Sequence, residues 1–355
     1  MKFFNIDQHI SVIEDLRHLF PELGHTVEDW SISSHTWVFN RTRTNIPLLE
    51  DGNWRQIIKK RLWNDFYTQY RDPLRPYDAF IASYSPVFSM LYQKFEKPIL
   101  IFVPIRYEHP FSFDRRDWKK FNRFLRKGID NGRLILAANN LYDKYYCEYF
   151  LEREVRHVPS LCAYHGVHYA PEREEYLLLG RYIPEGLHPC IQSREKALPV
   201  RHDIHDITRF RGLIHWPYQV SFMSLFEQYS MNLPMFFPSP DFLTELYRDG
   251  VPVLKEISWN LYFDRKPGSA IRGSGPWDPN DYRNLRSVAY WLKYADYYDV
   301  NTMPFLQYFH SIRHLNQLVE TCNTAVVSEQ MRGFNRIRKK KILDSWESIL
   351  KPFTR

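Results

Sequence analysis

The sequence predicts an α/β protein built from two Rossmann-like, parallel-sheet domains, and three observations predict it. Short, continuously apolar runs such as Ile99-Leu100-Ile101-Phe102-Val103 recur along the chain, as expected of strands covered on both faces. Between them lie stretches with helical spacing of apolar residues, giving the strand–helix alternation of a parallel sheet. The chain's 355 residues suit about two domains of about 150 residues each. A polar, irregular stretch between Tyr164 and Glu175 separates two such series. This gives an N-terminal domain over 1–165, a second over 175–330, and a C-terminal helix over 331–355.

In the first domain, Phe3, Phe4 and Ile6 form a strand ending at Asp7. Ser11 with Glu14 three residues on reads as a capping box for a helix whose apolar face is Val12, Ile13, Leu16, Leu19, Phe20 and Leu23, stopped by Gly24. Thr26–Ser31 is a second strand, Trp54–Tyr70 an amphipathic helix and Ala79–Ala82 a buried strand. Pro86 suits the first turn of a helix over Pro86–Phe95. Ile99–Val103 is a strand, Trp118–Gly128 a helix, Leu134–Ala138 a strand and Leu141–Phe150 a helix; Val155–Leu161 is a further strand candidate. Parallel sheets bind ligands at the carboxyl ends of their strands. That rule singles out Asp7–His9, Ser31–His35, Ser83–Pro86, Arg106–Pro110 and Asn139-Asn140.

In the second domain, Tyr176–Leu179 and Gly212–His215 are strands, Ser221–Met231 a helix, Leu233–Phe237 a strand and Asp241–Arg248 a helix. Lys266–Asn280 reads as a loop carrying Gly268, Gly273 and Gly275. Asp281–Tyr298, Phe305–Asn323 and Glu329–Lys351 have helical patterning.

Composition excludes several classes. Aromatic residues make up 17% of the chain, far too much core-forming mass for a disordered protein. Only 13 residues are glycine, which argues against collagen, flexible linkers and a glycine-rich phosphate loop. No apolar run approaches the 18 or so residues of a spanning helix, and Asp7 and His9 interrupt the N-terminus where a signal peptide would be apolar. Four cysteines without C-x-x-C spacing fit reduced thiols and a cytoplasmic location. The net charge of +7 permits nucleic-acid or anionic-membrane contact without demanding it. Two basic clusters stand out: Arg115-Arg116 with Lys119-Lys120, and Arg336 to Lys341. Each is either a solvated helix face or a polyanion site; nucleic acid is not the expected partner, and peripheral membrane contact stays open.

The most informative segment runs from Gly212 to Ser239: a strand, the turn Pro217-Tyr218, a helix carrying Ser221, Met223, Ser224 and Glu227, the turn Asn232-Leu233-Pro234, and a strand ending at Pro238-Ser239. This pattern resembles the donor-binding signature of GT-B fold glycosyltransferases. The resemblance implies two Rossmann-like domains facing a cleft, with the nucleotide-diphosphate sugar on the second, a glycan acceptor on the first, and the C-terminal helix over 331–355 packing back on the first. It implies that Glu227 holds the ribose hydroxyls, that Ser221, Met223 and Ser224 lie along the diphosphate, and that Tyr218 sits near the base or sugar. Backbone N–H groups at a helix start suit a diphosphate. Alternatively the segment is an ordinary strand–turn–helix with Glu227 on its surface.

Tyr176 to Gly186 is similar to the opening strand of the same domain, with Arg181 placed to neutralise the pyrophosphate. The lysine that often follows in the family is absent here; Arg194, Lys196, Arg209 or Arg211 could replace it. The interval from Arg181 to Pro217 has room for about one βα unit of about 30 residues, so the second domain reads as shortened.

By the same resemblance the N-terminal domain supplies the catalytic base. His9 is the first candidate, with Asp7 to orient it. The other reading has Asp7 and His9 capping the helix near Ser11. Glu108 and His35 are further base candidates, and Arg106 a phosphate or acidic-acceptor contact. Asn139, Asn140 and Asp143 either touch a sugar or cap a helix. Rings following predicted strand ends (Trp37, Tyr84, Tyr107, Tyr142, Trp216, Tyr218) would suit sugars and bases. No cofactor and no metal are expected, although Asp203, His205 and Asp206 with His202 form a His/Asp cluster. The activity implied is metal-independent transfer of a sugar to a glycan hydroxyl. A nucleotide-sugar epimerase and a non-catalytic polyanion binder are the alternatives.

Overall fold

The computed structural model describes residues 1–49, 56–105, 107, 114–180, 182–254, 271 and 273–354. Its contacts divide the chain into two units: Met1–Ser160 with Gly268–Gly273 and Lys341–Arg355, and Leu161–Pro267 with Ser274–Lys340. The division falls a few residues before the polar stretch at 164–175, for a local reason. The Tyr164 hydroxyl donates to the Glu227 carboxylate, and His165 Nε2 lies 2.7 Å from Ser230 Oγ. Both tie this segment to the second unit.

The first unit carries the strands β1 (Lys2–Asp7), β2 (Thr26–Ser31), β3 (Ala79–Ala82), β4 (Ile99–Val103), β5 (Leu134–Ala138) and β6 (Arg156–His157). They form one sheet in the order β2-β1-β3-β4-β5-β6, with every pairing parallel. All five residues of β4 are buried, as an interior strand covered on both faces requires. The second unit carries β7 (Tyr176–Leu179), β8 (Ile191–Ser193), β9 (Gly212–His215), β10 (Met235–Pro238) and β11 (Gln307–Phe309), in the order β11-β10-β9-β7-β8 and again all parallel. Counted within each unit, both sheets run second, first, third, fourth, fifth. The chain is therefore two Rossmann-like α/β units in succession, the second with one strand fewer.

This order fixes where each unit can hold a ligand. The chain leaves the first strand toward one side and returns on the other, so the connections part at the carboxyl ends of the first and third strands. In the first unit that point lies between β1 and β3, which pair Ile6 with Ala82. In the second it lies between β7 and β9, which pair Leu179 with His215.

Several elements differ from the sequence expectation. The helix α1 (Ile10–Leu19) starts at Ile10, with His9 at the cap position and no side-chain cap. Ser11 is already inside it, and Glu14 is drawn instead into an ion pair with Arg41 at 2.7 Å. The next helix, α2, spans Leu62–Leu74, later than the pattern over 54–70 suggested. Pro86–Phe95 is wound as 3-10 rather than α turns. After it come α3 (Arg115–Asp130) and α4 (Leu141–Leu151). The apolar pattern over 305–323 divides into β11 and the helix Ile312–Thr321, with Ser311 capping the latter through His314 N. The 281–298 pattern shortens to the helix Leu285–Leu292. Of the loop 266–280, residues 266–270 and 272 lie outside the described residues.

Among the described residues no helix is long and apolar enough to cross a membrane. The C-terminal helix spans Thr324–Leu350, and its last turns belong to the first unit. There Trp346, 1% exposed, meets Phe20 and Phe102 edge-on at 5.4 and 5.1 Å. Trp346→Ala should lower stability by about 3–5 kcal/mol, because a buried ring is lost and a cavity left. Denaturant unfolding measures this; a loss under about 1 kcal/mol would mean the helix end is not seated there.

Candidate functional site

The carboxyl edge of the first sheet concentrates buried polar groups that lack partners. Asp7, the last residue of β1, is fully buried, and neither carboxyl oxygen completes a hydrogen bond. Asn5 donates from Nδ2 to Ser83 Oγ at 3.2 Å, while its Oδ1 is unpaired. Gln8 Oε1 and His9 Nδ1 are buried and unpaired as well. The His9 ring lies 5.4 Å from that of Tyr84, which follows β3. These residues stand on either side of the β1/β3 switch point. Leaving such groups unpaired costs about 1–3 kcal/mol each. A ligand with hydroxyl donors and acceptors would recover that cost.

Burial sets the protonation of this cluster. Desolvation pushes the Asp7 carboxyl up to about 7; Asp29 adds to the rise, while Ser31, Arg41 and the His9 backbone oppose it. Desolvation also pulls the His9 imidazole down to about 4, with the charge of His35 assisting. The tuned titrating group is therefore Asp7, and His9 stays neutral through the physiological range. No hydrogen bond joins the two side chains: both Asp7 oxygens and His9 Nδ1 are without side-chain partners. Nor does either side chain cap α1.

Neighbouring candidates resolve differently. His35 is exposed beside Ser34. Arg106 and Glu108 lie outside the described residues. Asn140 caps α4, accepting from Asp143 N at 2.7 Å and donating to Asn139 and Asp143. Tyr107 and Tyr142 are fully buried and Trp216 nearly so, which makes them core rings, whereas Trp37 and Tyr218 are exposed.

At the second switch point, Gly180 follows β7 with φ +134°, and a Cβ there would stand 2.9 Å from Trp216 Cβ, past the end of β9. Both the backbone angle and the close approach require glycine. His215, the last residue of β9, is stacked in the sequence His215–Phe237–Tyr297, with centroids 4.6 and 4.8 Å apart. Burial pulls its pKa to about 3, with Gln228 opposing, so it is a neutral core ring with an unpaired Nε2. Arg181 lies outside the described residues.

The helix α5 (Met223–Ser230) begins two residues later than Ser221 and has no side-chain cap and no acidic residue in its first turn. Ser221 lies before it, buried, its hydroxyl committed to the Asp296 carboxylate. Met223 is buried, whereas Ser224 is exposed in the first turn. Tyr218 is 45% exposed, its ring 5.5 Å from that of Phe222. Glu227 is half-buried and accepts from Tyr164. Tyr218 and Ser224 thus present themselves at the start of α5, which no side chain caps, while Ser221 and the Met223 side chain face inward.

The His/Asp cluster has a structural role: Asp203 and Asp206 form a reciprocal capping box on the short helix Ile204–Thr208. Among the described residues no group of three His, Cys, Asp or Glu side chains is placed to hold a metal ion. The basic run at the C-terminus also divides. Arg338 turns inward, with Nη1 3.2 Å from Asn335 Oδ1 and its guanidinium 5.2 Å from the Tyr229 ring centre, while Arg336 and Lys341 face solvent.

No family model and no curated protein matches this sequence. Among solved structures it is similar to the glycotransferase of kitacinnamycin, at 11% identity over 99% of this chain and 98% of that one, with a TM-score of 0.44. It is also similar to CalG4, the calicheamicin glycosyltransferase, at 9% identity over 99% and 98%, TM-score 0.40. A UDP co-structure of MnaA from S. aureus shares 10% identity over 93% and 94%, TM-score 0.40.

Asp7 and His9 give opposing pH dependences. The folded state keeps the Asp7 proton up to about pH 7, whereas the unfolded chain loses it near pH 4, so this contribution is full below pH 4 and is lost as pH rises to 7. His9 is neutral when folded but protonates near 6.5 when unfolded, so its contribution rises from pH 4 to 6.5. Asp7→Asn should therefore gain stability over the parent progressively from pH 4 to 7 and level off above, by up to about 4 kcal/mol. Denaturant titrations of both proteins across pH 4–8 check this; a pH-independent difference would place Asp7 in an ordinary solvated setting.

Proposed function

We propose that the protein is a metal-independent glycosyltransferase of GT-B type, passing a sugar from a nucleotide-diphosphate donor to a glycan hydroxyl. One observation carries this reading: the helix following the second switch point starts without a side-chain cap and free of acidic side chains in its first turn. Such an end offers backbone N–H donors and a positive dipole to an anion. A diphosphate is the anion that a strand–turn–helix of this kind suits.

In this reading the diphosphate lies on the amides of Met223 and Ser224 and on the Ser224 hydroxyl. Ser221 acts through Asp296, fixing the turn that leads into the helix. Glu227, held by Tyr164, receives the ribose hydroxyls, and Tyr218 borders the base or sugar. Arg181 would neutralise the second phosphate. The acceptor belongs to the first unit, where the unpaired Asn5, Gln8 and His9 atoms receive its hydroxyls. Asp7, with its carboxyl near 7, is matched to take the acceptor proton at neutral pH, and neutral His9 accepts a hydrogen bond beside it. The acceptor oxygen then bonds to the donor's anomeric carbon, and the nucleoside diphosphate leaves with the electron pair of the broken bond. A base acting on the acceptor hydroxyl suits inversion. Arg106 and Glu108 remain candidates for acceptor binding and proton transfer.

Thermal shift against UDP, GDP, ADP and CMP, and against their sugars, tests the donor site. One nucleoside diphosphate should raise the melting point, since ligand at 100-fold over its Kd adds about 2.7 kcal/mol. Glu227→Gln should weaken that ligand by about tenfold, the worth of a hydrogen bond to a charged group. No stabilisation by any diphosphate, or a Glu227→Gln protein binding as the parent does, contradicts the assignment. Conversion of a nucleotide sugar to its epimer without acceptor would contradict transfer.

A further inference from the structure

The α3 face of the first unit holds a trough of about 800 Å³, remote in sequence from the switch-point residues and lined by six cations: Arg115, Lys119, Arg123, Arg126, Lys127 and Arg153. Arg153 is answered by Asp130 at 2.6 and 3.1 Å. Arg126 donates to the Phe150 carbonyl at 3.2 Å, and its Nε is buried without a partner. Among the described residues no carboxylate pairs with Arg115, Lys119, Arg123 or Lys127, all exposed.

These four follow one another at intervals of four residues along one helix. Neighbours at that spacing lie side by side, about 6 Å apart along the axis, and like charges so placed repel. The helix is held regardless of this repulsion. Asp114 caps it through Arg116 N and Asp117 N, and Trp118, Phe121 and Leu125 bury its other face. Gly128 lets it pass close to β5, where a Cβ would meet the Leu134 side chain at 2.1 Å. A rigid row of uncompensated cations calls for an external row of anions.

The shape narrows the class of ligand. Trp118, Phe150 and Ile271 line the trough together with the cations, and a recess along a helix suits a chain rather than a planar bilayer. The Trp118 ring is taken by Tyr107 at 4.5 Å and Phe150 at 5.5 Å and is 6% exposed. It therefore offers no open face for the base stacking that single-stranded nucleic acid uses. We propose that this trough binds an extended acidic glycan bearing carboxylate or sulfate groups at regular intervals. The proposal deepens the transferase reading, on which it rests for its biological sense: the acceptor is then an anionic polysaccharide anchored away from the reacting hydroxyl.

The test measures binding of the full chain to polygalacturonate and to heparin, with neutral dextran, oligothymidylate and phosphatidylserine vesicles beside them. Carboxylate and sulfate glycans are thereby distinguished. Binding to at least one acidic glycan, weakening as salt rises and absent for dextran, is expected. Lys119→Glu with Arg123→Glu should weaken it by about tenfold, since each reversal removes an attraction and adds a repulsion. Arg123→Gln with Lys127→Gln, milder at exposed positions, should lower it in the same direction and serves if the reversal fails to fold. Unchanged binding by folded variants, no binding to either acidic glycan, or tighter binding to the vesicles or the oligonucleotide would overturn the proposal. Stabilisation by nucleoside diphosphate is followed in the same proteins. Its loss from the parent contradicts the transferase reading alone, and its persistence without glycan binding contradicts the trough alone.

Discussion

The arrangement of both sheets follows from one constraint. A parallel strand must be paired on its edges and covered on its faces, so its side chains are spent on packing and its free chemistry is confined to its end. When the first strand lies inside the sheet with the second on one side and the third on the other, the connections part there, and the end of the first strand faces no covering helix. In the first unit β1 ends on Asp7, with Asn5 beneath and Gln8 and His9 above. Five buried polar atoms without partners, on Asn5, Asp7, Gln8 and His9, lie at this point.

Burial then does the tuning. The same desolvation that raises the Asp7 carboxyl to about 7 lowers His9 to about 4, so the usual ranks of the two groups invert. A buried carboxyl that is half-ionised near neutrality is costly to the fold, and such costs concentrate where a protein does chemistry. The second unit obeys the same topology with another outcome. Its β9 ends on His215, which stacks on Phe237 beside a tilted Phe222 and remains neutral. There the polar capacity is carried by backbone, at Gly180 and at the uncapped start of α5.

Much of this was legible in the sequence. The apolar runs 79–82, 99–103, 134–138, 176–179 and 212–215 coincide with strands because a doubly covered strand has no room for polar residues. The pattern failed where elements are short. Ile191–Ser193 and Gln307–Phe309 contain three residues each, too few to display a period, and each includes a polar residue at a sheet edge. A cap departs from the sequence pattern where a tertiary ion pair intervenes: Arg41 holds Glu14, which the spacing assigns to Ser11. The location of Asp7 and His9 could be read from the strand that precedes them. The inversion of their acidities could not, since it depends on what covers them, and residues distant in sequence (Ser31, Ser83, Tyr84) supply their surroundings. The basic stripe of α3 was visible as Arg115-Arg116 and Lys119-Lys120, but the row that lines the trough takes one residue from each pair and continues to Arg123 and Lys127.

The central claim is that the first switch point holds a carboxyl tuned by burial to neutral pH. Titrating the Asp7 side-chain carboxyl directly, by carbon NMR of the labelled protein with Asp7→Asn to assign the signal, tests it most directly. The account predicts a midpoint near 7. A midpoint near 4, the value of a solvated aspartate, would contradict it.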